Sequence, residues 1–92
     1  MTKTTRAEVY AAIDSERDYQ DNLGNDRASN PTYGTGSIDH TVGDFVTMMQ
    51  YYQNQLTEAW TANPGDQAAL DVVRKIGGIA VNCMEQHGAI KR

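Results

Sequence analysis

Residues 41–62 read TVGDFVTMMQYYQNQLTEAWTA and residues 66–87 read DQAALDVVRKIGGIAVNCMEQH, separated by Asn63-Pro64-Gly65. In the first stretch Val42, Phe45, Val46, Met49, Tyr52, Leu56, Ala59 and Trp60 recur at the spacing of one helix face. Thr41 and Asp44 form a capping pair ahead of it, and Asp44 also suits the positive end of the helix dipole. Asn-Pro-Gly ends that helix, and Asp66 is the expected cap of the next. There Ala69, Leu70, Val73, Ile76, Gly77, Ala80, Cys83, Met84 and His87 mark a second apolar face, and Gly88 supplies the stop. Two helices of about 20 residues, each roughly 30 Å long and joined by so tight a turn, are expected to pack antiparallel along their length.

Upstream, Thr5 and Glu8 have capping-box spacing and open a first helix through Val9, Ala12 and Ile13. Its apolar stripe is thin, so it is expected to dock on a larger scaffold. Residues 22–38 contain three glycines, a proline and several Asn, Asp, Ser and Thr, a loop composition. Loops beyond about 12 to 15 residues are usually functional or disordered, and Tyr33 and Arg27 suit one that orders around a ligand. The expected organisation is one all-α domain over 1–92: helix 5–22, loop 23–39, helix 41–62 and helix 66–87.

Gly77-Gly78 within the third helix costs on the order of 1 kcal/mol per glycine in helix propensity, and close approach of another backbone is the simplest compensation. Val72, Ile79 and Val81 lie off the expected hairpin face, while Met48 and Tyr51 flank the second helix's stripe. One hairpin and one thin helix do not cover all of this, so a homo-oligomer is expected.

The 92 residues fit a single domain whose small size makes association a common route to further burial. Hydrophobic content of 39% is too high for a disordered chain. A formal charge of -4 argues against a nucleic-acid polymer as partner, though a small phosphate ligand needs only two or three placed cations. The lone Cys83 allows no intrachain disulfide, no run is long and apolar enough to span a bilayer, and the N-terminus lacks a signal-peptide core. Those features indicate the cytoplasm, with no membrane partner.

Catalytic chemistry finds no assembled set. Cys83 and His87 share one helix face, but on the apolar stripe, where a lone cysteine ordinarily acts as filler. Asp14, Asp18 and Asp21 share one side of the first helix, where a solvated acidic face is commoner than a magnesium site. No metal motif or phosphate loop appears, and Glu58 and Glu85 have no partner glutamate three or four residues away. No metal or cofactor is therefore expected. What remains is Arg17, Arg27, Arg74 and Lys75 with Tyr10, Tyr19, Tyr33, Tyr51 and Tyr52, a set suited to gripping a nucleotide by stacking and by guanidinium–phosphate pairing.

Three groups of segments carry a resemblance: Val9-Tyr10-Ala11-Ala12-Ile13 with Ser15-Glu16-Arg17-Asp18-Tyr19-Gln20; Tyr51-Tyr52-Gln53 through Ala59-Trp60; and Val73-Arg74-Lys75-Ile76 with Met84-Glu85-Gln86-His87-Gly88. Together they resemble small phage-encoded helical proteins, most closely the second anti-CBASS family, sponges for the cyclic oligonucleotide messengers of bacterial anti-phage immunity. The resemblance implies a homo-hexamer in the host bacterial cytoplasm that binds cyclic dinucleotides, and in some members cyclic trinucleotides, without cleaving them. It implies that Tyr10 stacks on a base and that Arg27 stands where that family usually presents lysine. Arg74 is the candidate for a second, phosphate-facing site. Two rivals stay open: a relative of the helical nucleotide pyrophosphohydrolases, suggested by Glu16-Arg17 and Gln20, and a phage inhibitor that docks on a host protein.

Overall fold

The computed structural model describes the backbone of residues 3–29, 39–62 and 65–92, and the side chains of these except 23–29. They form three helices and, among the described residues, no strand: α1 (Arg6–Ser29), α2 (Val42–Ala62) and α3 (Asp66–His87). The capping signatures appear as reciprocal bonds. The Glu8 amide donates to Thr5 Oγ1 at 3.2 Å and the Thr5 amide to Glu8 Oε1 at 3.3 Å. The Asp44 amide donates to Thr41 Oγ1 at 3.0 Å and the Thr41 amide to Asp44 Oδ2 at 3.1 Å. At α3 the cap differs from expectation. Asp66 is already helical, and the preceding position is Gly65 at φ 80°, a conformation that only glycine adopts without strain. Gly88, at φ 113°, closes α3 by donating its amide to the Met84 carbonyl at 2.8 Å.

The first helix corrects the sequence reading. With 24 residues it is the longest of the three, and the backbone of Arg27 belongs to it, not to a loop. The lone Gly24 costs a helix about 1 kcal/mol, too little to end it, and the first residue that cannot continue a helix is Pro31.

α3 is the central element. Both α1 and α2 pack on it, and among the described residues they make no helix–helix contact with one another. The start of α2 sits against the end of α3: the His40 amide donates to Gln86 Oε1 at 2.9 Å and the His87 ring Nε2 donates to the His40 carbonyl at 2.6 Å. Phe45, only 1% exposed, lies edge-on between the His40 and His87 rings at 5.5 and 6.1 Å. His87 is thus engaged in holding the fold together.

Which apolar residues turn inward is the second correction. Among the described residues the buried apolar side chains are Phe45, Val72 and Ile79. Val72 and Ile79, expected off the packed face, are inside, whereas Leu70, Val73 and Met84, expected on it, are exposed, Leu70 by 62%. Val42, Val46 and Trp60 of α2 are also exposed. Each helix is rotated from the centre of its apolar stripe, because α3 must face α2 and α1 at once.

The glycine pair is where α1 seats, and side chains of α1 fill the space, not a second backbone. A Cβ on Gly77 would lie 3.3 Å from Ile13 Cδ1, and one on Gly78 would lie 2.6 Å from Glu16 Cγ and 2.8 Å from Gln20 Nε2. We expect Gly78→Ala to lower stability by about 1–3 kcal/mol, the usual cost of overpacking, despite its better helix propensity. Gly77→Ala meets only the movable end of Ile13 and should stay within about 1 kcal/mol of the parent in urea unfolding. Equal effects would mean that α1 does not rest on this notch.

Candidate functional site at the junction of the first and third helices

Glu16 and Arg17 are adjacent on α1 and both buried, 7% and 6% exposed. Buried charges persist only when paired, and each reaches a different part of α3. Arg17 grips Glu85 with two bonds, Nε to Oε1 at 2.9 Å and Nη2 to Oε2 at 3.1 Å, the strong fork geometry of guanidinium and carboxylate. Arg17 also donates from Nη2 to Asp21 Oδ1 at 2.8 Å and from Nη1 to Gln20 Oε1 at 3.2 Å. Glu16 accepts from Arg74 Nε at 3.0 Å and from Gln20 Nε2 at 3.3 Å. Among the described residues no buried side-chain nitrogen or oxygen is left without a partner.

A groove of about 370 Å³ opens beside this clamp, lined by Ser15, Glu16, Tyr19, Asp71, Arg74 and Lys75. Ser15 and Tyr19, four residues apart, share a helix side, and Asp71, Arg74 and Lys75 do the same on α3. Arg74 bonds to Asp71 through Nη2, and Lys75 Nζ lies 3.6 Å from Asp71 Oδ2. Asp71, Arg74 and Lys75 are each more than a third exposed, so these surface pairs contribute little and can exchange partners. The Tyr19 ring is exposed at the rim. Two carboxylates balance two cations, so an anion entering here competes with Asp71 for Arg74 and Lys75. The hydrogen bonds that Arg74 donates to Glu16 and then to Asp71 hold its guanidinium above its ordinary pKa.

The residues singled out by sequence therefore divide. Arg74 and Lys75 meet in the groove; Arg17 is sealed in the clamp behind it. Tyr10 is exposed on α1, outside the groove. Arg27 lies in the last turns of α1 with its side chain outside the described residues, and Tyr33 lies outside them altogether. Asp21, part of the acidic face, is tied to Arg17. Tyr19 is one of the five aromatics that the sequence offered for stacking, whereas Glu16 and Asp71 carried no binding role there, although Glu16 and Tyr19 sit three apart on one helix side. None of the described helices is long and apolar enough to cross a membrane. No protein-family model, curated protein or solved structure matches the chain.

The clamp gives a pH signature. The hydrogen bond from Arg17, opposed by partial burial, holds the Glu85 carboxyl below its ordinary pKa. A folded-state pKa below the unfolded one stabilises the fold above the unfolded value, and that contribution is lost as pH falls through the folded value. Acidification below the usual glutamate range should therefore loosen α1 first. Hydrogen exchange should show residues 9–20 losing protection before α2 and α3, with Glu85→Gln showing the looser α1 already at neutral pH and a flatter pH response. Simultaneous loss in all three helices would mean that the Arg17–Glu85 pair does not govern α1 docking.

Proposed function

We propose that the protein is a non-catalytic, oligomeric binder that sequesters cyclic di- and trinucleotide messengers and so blocks the anti-phage immunity they trigger in the bacterial cytoplasm. The observation that carries this reading is the α1–α3 groove, which sets an exposed tyrosine beside an arginine and a lysine that share the half-exposed, exchangeable carboxylate of Asp71. The ring supplies a face for a base, and the guanidinium supplies a fork for a phosphodiester.

The extended α1 shapes the rest of the proposal. Tyr10 and Arg27 are 17 residues apart on one continuous helix, about 25 Å along its axis, farther than a cyclic dinucleotide spans. If both touch one ligand, as the family resemblance implies, they come from different copies. α2 and α3, read as an antiparallel hairpin, then form the body of each subunit in a hexamer. Identical residues repeated around symmetry axes suit a cyclic ligand with chemically similar parts. The apolar surface left exposed also suits docking on a host protein, which is the second reading.

Titration calorimetry with a panel of cyclic di- and trinucleotides tests the proposal. We expect binding by at least one of them, with the ligand recovered intact. Arg74→Ala should weaken binding about tenfold or more, and Tyr19→Ala should cost about 1–3 kcal/mol, the usual value of a stacked base. No binding across the panel would end this reading and favour a protein partner. Ligand turnover would instead make the protein an enzyme, reviving the pyrophosphohydrolase-like alternative.

A further inference from the structure

We infer that the outward-facing stripes of α2 and α3 form one face on which a second copy of this chain docks, packing four helices about a two-fold axis. The inference rests on the oligomeric part of the proposed function and assigns the surface that performs it.

The stripe on α2 is Val42, Val46, Met49, Gln53, Leu56 and Trp60, with steps of four and three residues in alternation. The stripe on α3 is Leu70, Val73, Gly77, Ala80 and Met84, with steps of three and four. That repeat is the seam of helices packed side by side. Val42, Val46, Trp60, Leu70, Val73 and Met84 are exposed, so among the described residues both seams present uncovered apolar side chains, with Met49, Leu56, Gly77 and Ala80 half-buried between them and Gly77 against Ile13. On α2 the exposed seam lies to one rotational side of Phe45, the buried residue; on α3 it lies to the same rotational side of Val72 and Ile79. In helices running in opposite directions, displacement in the same rotational sense from the mutual contact places both seams on one side of the pair. α1 leaves the α2 seam bare, since it packs on α3 alone.

Charge and area favour another copy as the occupant. Neither seam contains a charged residue, and the whole of α2 carries only Asp44 and Glu58. A face without charges is complementary to itself, as a two-fold contact requires. The chain exposes 7264 Å² for its 10.2 kDa, where a folded monomer of that mass exposes roughly 5300 Å². That excess is larger than the roughly 800 Å² that each partner contributes to a stable interface.

Trp60 is the chain's only tryptophan, 63% exposed in the single copy and at one end of the α2 seam. Its fluorescence therefore reports on this face without any substitution. We expect blue-shifted emission at micromolar concentration that moves to the position of a solvated indole on dilution. Val46→Glu combined with Met84→Glu should keep its helical circular dichroism, reduce the solution mass at least twofold and show solvated-indole emission at every concentration. Tyr51→Gln, which changes an exposed ring on the other side of α2, should leave mass and emission unaltered. A parent protein that assembles with solvated-indole emission, or a folded double variant of undiminished mass, would overturn this face and leave the oligomeric proposal standing. A parent protein that never assembles would overturn both.

Discussion

α3 must serve two neighbours that, among the described residues, make no helix–helix contact with one another, and the architecture follows from how it divides its surface between them. Toward α2 it turns apolar side chains, with Val72 and Ile79 buried and Phe45 fixed between two histidine rings at the helix ends. Toward α1 it turns a notch, Gly77-Gly78, and salt-bridge partners on both sides of it, Arg74 and Glu85. Small residues let α1 approach closely, and the ion pairs fix its position there. The remaining side of α3, with Leu70, Val73 and Met84, is left to solvent.

The groove is a by-product of the same division. Because α1 is held by charges rather than by a broad apolar contact, the junction has polar walls, and Arg74, which docks α1 through Glu16, also shares the exposed Asp71 with Lys75. Arg17 and Arg74 show the difference. Both pair with carboxylates, but Arg17 is sealed behind four hydrogen bonds while Arg74 remains partly open to solvent beside Tyr19. The Arg17 guanidinium is itself buried, so leaving it unpaired is costly, although Glu85 and Asp21 are half exposed. Arg74 divides its bonds between the buried Glu16 and the exposed Asp71, and only the second partner exchanges readily.

Much of the fold was legible in the sequence. The caps at Thr5 and Thr41, the stop at Gly88 and the all-helical character follow from local chemistry that needs no tertiary knowledge. Two features were not legible, for one reason: each depends on which helix lies alongside. The inward side of α3 moved from Val73 to Val72 and Ile79 because two neighbours, not one, compete for its surface. The glycine pair signalled a close approach, but not that Ile13, Glu16 and Gln20 would fill it. The extent of α1 was not legible for a local reason: residues 22–29 have a loop-forming composition but contain no proline to stop a helix. Of the site, Arg74 and Lys75 were legible as cations; their meeting with Tyr19 was not.

The proposed association rests on the apolar side chains that α2 and α3 leave exposed in a single copy, Val42, Val46, Trp60, Leu70, Val73 and Met84. Sedimentation velocity of the purified protein at micromolar concentration measures this directly. The account requires a particle several times the 10.2 kDa chain mass, a sixfold multiple being the proposed assembly. A folded, helical particle of 10.2 kDa at that concentration would contradict it.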